Sequence, residues 1–424
     1  MLKDGSYHVE LDSPNRIADI EAVLSGTIAD DDYTVNGDIM LHNLDMYALG
    51  FMEAPSALRS DITINGRLRP ERWLYNADLE VRNLAYRDSV SEIALPSGVT
   101  MSVDAAEQNV AIDVNGDRTS LRFRSSTGLE HVVNGLMAAT DIAMRQIDQR
   151  AVDVEELQHS LPPFTLEGEA SGSGMLAAIL QPTGMSIDSV SLNLANDSLI
   201  HGLVSAQRLN TGSMTLDTLR LNLAERGKLL DYKFHLGNAP GTLDEFAQVN
   251  LSGYLGMNRI SAYMVQRNIQ NQIGYRLGFT AAVTDSIATL HFTPLKATIA
   301  YMPWTFNDDN FVSYNMGNMG IDAKLKASSA QSSILLATEL NDKGDKELHL
   351  NLSNIQIEDF LQMSITAPPI RASINSDIRV RYTGKALVGK GNLDINNFIY
   401  EKTRVGDFSF TLAAGTNLKT KGGG

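Results

Sequence analysis

The chain has 424 residues, 43% of them hydrophobic and 20% charged, which is enough apolar material for a large core and too ordinary a balance for a disordered chain. Its 50 acidic residues outnumber 35 basic ones, and the formal charge of -15 with no basic stripe excludes nucleic acid as a partner. There is no cysteine, so disulfides, thiolate–metal sites and cysteine nucleophiles are excluded together.

No apolar run approaches the roughly 18 residues that a membrane-crossing helix needs. Met1-Leu2-Lys3-Asp4-Gly5 leads into polar sequence where a signal peptide would stand. Met1 precedes a mid-strand pattern, and the final KTKGGG, 419–424, resembles a linker. The chain is therefore expected to be a segment of a longer protein.

Residues 1–125 read as short alternating strands, for example 20–24, 33–41, 62–68, 74–81, 99–103 and 110–114. Asn36-Gly37, Asn65-Gly66 and Asn115-Gly116 are hairpin signals, because Asn-Gly suits the tight turns that join antiparallel strands. Residues 126–182 break this rhythm as a helical insert. Leu129, Val132, Val133, Leu136, Met137, Met144 and Ile147 recur at helical spacing and form an apolar face. Thr127 with Glu130 fits a capping box, and a second helix is expected after Asp153, with Glu156 three residues on, stopping at Leu161-Pro162-Pro163. A strand over 164–170 and a helix over 175–180, ended by Gln181-Pro182, complete the insert. The polar side of the first helix sets Arg145 against Glu130, Asp141 and Asp148. It lacks the basic excess of a membrane-surface helix, so packing on a sheet is expected.

Strands return over 183–418, including 189–194, 213–223, 230–236, 247–255, 274–282 and 287–292, with an aromatic, Asn/Asp-rich turn region over 301–314. The expected fold is all-β, with about 25 to 30 strands by the strand and turn signals and one helical insert.

A unit repeats within this pattern. Over 348–400, Leu348, Leu350 and Leu352 alternate with polar residues up to Asn354-Ile355. A helix-like piece with Ile357 and Phe360 follows, then Ala367-Pro368-Pro369. A second alternating run leads to a turn at Thr383-Gly384, and Leu393 and Ile395 close at Asn397-Phe398. Over 39–87 the same order appears: Ile39 and Leu41 to Asn43-Leu44, a helix-like 46–52, Ala54-Pro55, then Leu79 and Val81 to Asn83-Leu84. Such repetition predicts an elongated array. The Asn residues read as strand ends, since Asn tolerates left-handed backbone.

Catalytic signals are weak. The eight histidines are scattered, and none pairs at metal-ligand spacing. Asp30-Asp31-Asp32 and Asn307-Asp308-Asp309-Asn310 lack the glycine and distal glutamate of a calcium loop and read as solvated turns. Gly172-Ser173-Gly174 before Met175 superficially matches a dinucleotide fingerprint, but the preceding 165–170 alternates charge with small residues, unlike a buried parallel strand. No cofactor and no enzymatic activity are expected.

The repeat residues carry a resemblance. LNLSN at 350–354 and GNLDINNFIY at 391–400, matched by IMLHNLDMYAL at 39–49 and NADLEVRNLAY at 76–86, resemble the AsmA-like superfamily. More narrowly, they resemble the TamB-type translocation and assembly module family in its Bacteroidota form. MPWTFNDDNFVSY at 302–314 and RQIDQRAVDVEELQHSLPPFTLE at 145–167 are similar to that family's Trp-x-x-Asn-x-x-Asn stretch and internal helical segment. The resemblance implies an antiparallel sheet curled into a U-shaped, taco-like groove, in the periplasm of a diderm bacterium. It implies an inner-membrane anchor upstream and an Omp85-type outer-membrane partner downstream, with roles in phospholipid movement and outer-membrane protein assembly. Alternation is compatible with this: a single curled sheet, as the resemblance implies, would leave its apolar side free for phospholipid acyl chains. Ile39, Leu41, Leu79, Val81, Leu192, Leu194, Leu219, Leu221, Leu348, Leu350, Leu393 and Ile395 are the expected lining. The rival expectation is a β-solenoid scaffold whose apolar face is merely core.

Overall fold

Apolar–polar alternation with a period of two makes strands that bury one face, and nearly the whole chain carries it. The computed structural model describes residues 2–3, 5–88, 92–95, 97–149, 153–180, 183–212, 214–238, 246–284, 286–361, 368–382 and 386–417. It is all-β and antiparallel, with 27 strands among these residues, counting the two-residue piece Leu2–Lys3. The chain divides into two units, Met1–Thr242 and Leu243–Gly424. Ala367, Thr383-Gly384, Gln181-Pro182 and 419–424 lie outside the described residues.

In the first unit, strands pair with their sequence neighbours in a meander. Leu74–Asp88 takes two successive partners along its length, Glu92–Leu95 and Val99–Ala106. Thr119–Ser125 pairs directly with Phe164–Ser171, from Ser125 opposite Phe164 to Thr119 opposite Ala170, so the helices between them leave the ladder unbroken. These helices are α1 (Leu129–Gln149) and α2 (Val154–Ser160); α3 (Met175–Leu180) follows the strand. Asp153 caps α2 by accepting from the Glu156 amide at 3.1 Å. Thr127 does not serve the expected box: its hydroxyl lies 3.0 Å from Ser125 Oγ. Phe164–Ser171 is antiparallel to both neighbours, which is not the parallel strand that a dinucleotide-binding turn follows.

Two of the three Asn-Gly pairs read as hairpin signals are not turns. Asn36-Gly37 and Asn65-Gly66 lie inside the strands Asp32–Asp45 and Ser56–Arg69. Gly37 is needed for close approach: a Cβ there would stand 2.1 Å from the Val23 carbonyl oxygen. Asn115-Gly116 does end its strand.

The repeat asparagines are not strand ends either. Asn83, Asn354 and Asn397 hold left-handed backbone, with φ of 53°, 50° and 54°. The strands Leu74–Asp88, Lys346–Gln356 and Ala386–Tyr400 run through them. Each sits at a register shift, as does Asn43, so these are β-bulges. The bulge moves the apolar phase from i+2 to i+3: Leu352 is followed by buried Ile355 and Leu41 by Leu44, so the apolar face continues past each kink. Residues 46–52 form turns instead of a helix, held by Phe51 N–H donating to Met46 O at 2.9 Å. The counterpart in the second copy is a helix, α4 (Ile357–Leu361).

In the second unit, Ile287–Ile299 is paired at its start with Phe311–Asn315 and at its end with Met302–Phe306, and both short strands also pair with Gly320–Ser328. The gap between the short strands is bridged by side chains. Asn310, fully buried, accepts from Phe292 N–H at 2.7 Å and donates to Phe292 O at 3.2 Å, as a strand residue would. Asn307 does the same on the other side, accepting from Lys326 N–H at 2.8 Å and donating to Lys324 O at 3.0 Å. The Asn/Asp-rich stretch is thus a stitch in the sheet.

Candidate apolar binding face

Residues directly opposed across an antiparallel pair share a face. Followed strand by strand, the register of the first unit builds apolar rows that run across the strands. One row passes through Leu24, Gly37, Ile64, Leu79, Met101, Val114, Leu121, Gly168, Leu192, Val204, Leu221 and Phe234 without a polar member. On one side of it runs Ala22, Ile39, Ile62, Val81, Val99 and, farther along, Val190, Ala206 and Leu219. On the other side lies Gly66, Ala77, Val103, Ile112, Phe123, Leu166, Leu194, Gly202 and Leu223. The opposite face is polar, as in Thr63, Glu80, Thr100, Asn115, Ser120, Glu169, Ser191, Ser205 and Arg220.

The sequence-predicted lining falls into these rows. Ile39 and Val81 share one through Ile62, Leu79, Leu192 and Leu221 share the next, and Leu41, Leu194 and Leu219 lie on the same face. In the second unit, Leu350 is opposed to Leu336 and Ile378, Leu348 to Val380, Leu393 to Ser376 and Phe410, and Ile395 to Ile374 and Phe408. Leu41 is buried and the other eleven are half-buried. The alternation in 99–123 carries the same signal, so Met101, Val103, Ile112, Val114, Leu121 and Phe123 were findable lining too.

The two copies of the repeat keep one register and lose another. Leu41 opposes Ser60 as Leu352 opposes Ser376, and both serines are buried on the apolar face. Each serine hydroxyl donates to a carbonyl of the next strand, Ser60 to Arg82 O at 3.4 Å and Ser376 to Asn392 O at 3.2 Å. The following pair has slid: Leu79 and Val81 oppose Ile64 and Ile62, whereas Leu393 and Ile395 oppose Ser376 and Ile374.

Helices stand at both strand ends of the first unit's apolar face. Val132 and Leu129 of α1 pack with Ala105, Val110, Val103, Ile112 and Phe123. At the other end, a Cβ at Gly116 would lie 3.3 Å from Met175 Sδ of α3. Between them Met101 and Leu121 are exposed. The predicted apolar face of α1 is divided. Val132 is buried and Leu129 and Val133 are half-buried, but Leu136, Met137, Met144 and Ile147 are 43%, 63%, 58% and 70% exposed. The docked side is narrower and made of small residues: Gly135, against Pro162 and Ser160, and buried Ala139. Packing of the whole predicted face was the expectation. The helix instead meets its neighbours through a stripe turned partly away from it.

In the second unit one end of the apolar face is filled. Trp304, 2% exposed, packs with Tyr275, Ile299, Phe306, Leu325 and Ile355, and its ring meets Phe360 of α4 edge-on at 6.0 Å. Tyr275 OH donates to Asp359 O at 2.8 Å. Tyr275 and Ile355 belong to strands several places apart in the ladder, so the sheet bends toward its apolar side here. Toward the opposite strand ends a cavity of about 210 Å³ is lined by Met319, Ile321, Thr338, Leu348, Val380 and Lys346.

Ionic groups gather elsewhere. On the polar face, buried His349 lies 3.2 Å from Glu339 and 3.3 Å from Asp377, and Arg379 donates to Glu339 at 2.8 Å. Arg379 and His349 hold the Glu339 carboxyl below the usual carboxylate range. In the first unit Arg67 and Arg69 both pair with Asp32 and lower its carboxyl pKa in the same way. The larger cavity beside them, about 550 Å³, has a mixed lining of Arg67, Tyr75, Asp104 and Asn109 at the strand ends. Among the described residues no helix is long and apolar enough to cross a membrane. In comparison with known proteins, no family model, no curated protein and no solved structure matches this chain.

Proposed function

We propose that the chain is a periplasmic segment of an inner-membrane-anchored, TamB-like bridge whose apolar sheet face forms a U-shaped groove and conducts phospholipid acyl chains between the two membranes. The carrying observation is the uninterrupted row from Leu24 to Phe234, flanked by two further apolar rows on the same face. Each CH₂ taken from water onto such a wall gains about 0.8 kcal/mol. Neighbouring strands repeat every ~4.8 Å, so the wall offers nearly the same contact at each step and no single deep minimum. A conduit needs that uniformity and needs no catalytic group. Support of outer-membrane biogenesis, with an Omp85-type partner, belongs to the same proposal through the resemblance.

The side-chain-filled cluster around Trp304 favours a second reading, a β-solenoid scaffold for outer-membrane protein assembly without lipid conduction. One experiment separates them. With a photo-crosslinking residue at Leu192 or Leu350, phospholipid adducts are expected in the purified chain. A folded protein that gives none at either position, and carries no lipid in native mass spectrometry, overturns conduction and leaves the scaffold.

A further inference from the structure

We propose that the exposed stripe of α1 is the second wall of an acyl-chain slot in the first unit, facing the apolar side of the sheet. The inference rests on the lipid reading above and adds a site to it. Leu129, Leu136 and Ile147 stand on one line of the helix, being about two and five turns apart at 3.6 residues per turn. At the top of that line Leu129 packs on the apolar face, beside Val103, Ile112 and Phe123. Farther down, Leu136 and Ile147 are 43% and 70% exposed, with Met137 and Met144 beside them. The side of α1 that begins on the sheet therefore stays apolar while losing its contact, which leaves exposed apolar surface both on the helix and, at Met101 and Leu121, on the sheet.

The helix is held in this attitude from its other side. Gly135 lies against Pro162 and Ser160, the Arg145 guanidinium pairs with Glu156, and Gln146 donates to Asp153 O at 2.8 Å. α2 in turn is tied to strand turns of the sheet by Gln158 donating to Ser198 O at 3.2 Å and by the Lys228–Glu155 ion pair.

The chemistry of the stripe selects its occupant. From Leu136 to Ile147 it runs about 16 Å at 1.5 Å per residue, close to half of the roughly 30 Å hydrocarbon core of a bilayer, which is the reach of one acyl chain. Two methionines give it an adaptable wall. Its flank carries Glu130, Asp141 and Asp148, while Arg145 is engaged by Glu156, so it offers an anionic membrane surface nothing to bind.

The test places p-benzoylphenylalanine at Met137, Met144 or Ile147, at Ala138 on the polar side of α1, and at Leu192 as the sheet reference. Expected are phospholipid adducts at the three stripe positions and at Leu192, with little at Ala138. Adducts at Leu192 but not on the stripe overturn the slot and leave the lipid reading standing. Protein adducts on the stripe, in place of lipid, also overturn it by identifying a docking surface. Absence of lipid at Leu192 as well removes the reading on which the slot rests. A second measurement uses the double variant Met137→Glu, Met144→Glu, whose changes are on exposed positions. Lipid captured at Leu192 is expected to fall on the order of ten-fold, equivalent to about two buried CH₂ groups. An unchanged yield from the folded variant overturns the proposal.

Discussion

Asn310 does the work of a strand residue with its side chain. Its carboxamide satisfies both backbone groups of Phe292, in a place where Ile287–Ile299 passes from one short partner strand to the other. Asn310→Ala leaves a buried N–H and a buried C=O unpaired, at about 1–3 kcal/mol for each group. A lower urea midpoint for the second unit is expected. A midpoint equal to wild type would mean that water replaces the amide without cost. The sequence showed this residue only as part of a turn-rich run. A composition of Asn and Asp marks a break in alternation, but not whether the break is a solvated loop or a bridge inside a sheet. Asn83, Asn354 and Asn397 pose the same ambiguity: a left-handed residue ends a strand or kinks it, depending on whether the partner strand continues. That depends on residues far away in the chain.

At the scale of elements, period-two alternation was legible almost throughout, because each strand shows its own face in its own residues. The helices were legible in position and less so in orientation. Periodicity located α1, and it marked Leu136, Met137, Met144 and Ile147 as apolar, yet the docked side is set by Gly135 and Ala139, which carry little hydrophobic signal. Close approach, not side-chain bulk, decides that contact. A Cβ at Gly135 would stand 2.9 Å from Pro162 Cδ and 3.0 Å from Ser160 O. Gly135→Val is therefore expected to lift α1 from α2 despite removing a helix-interior glycine. Amide exchange should rise through α1 and stay unchanged in Thr119–Ser125 and Phe164–Ser171. Equal protection of α1 in the variant would show that the helix has room to shift. The segments 46–52 and 357–361 diverge for a related reason: Phe360 finds Trp304, while Tyr47 and Phe51 stay exposed.

At the scale of the whole molecule, the fold class follows from the alternation, but the two units do not. Each has a buried cluster of its own, around Val110 in the first and Trp304 in the second. A ladder of sequence-adjacent strands has mostly nearest-neighbour stability, so damage should remain local. Trp304→Ala removes a large buried ring, a change that costs about 3–5 kcal/mol in well-packed sites. Faster amide exchange is expected over 273–356, with the strands of the first unit unaffected. Exchange rising equally in both units would show that they unfold together.

The unbroken pairing of Thr119–Ser125 with Phe164–Ser171 has a consequence for inheritance. The helices α1 and α2 hang from the tip of a hairpin, so they can be lengthened, shortened or exchanged without moving any strand out of register. A lineage can therefore remodel the helices at one end of the apolar face, while the strands that form the face stay as they are.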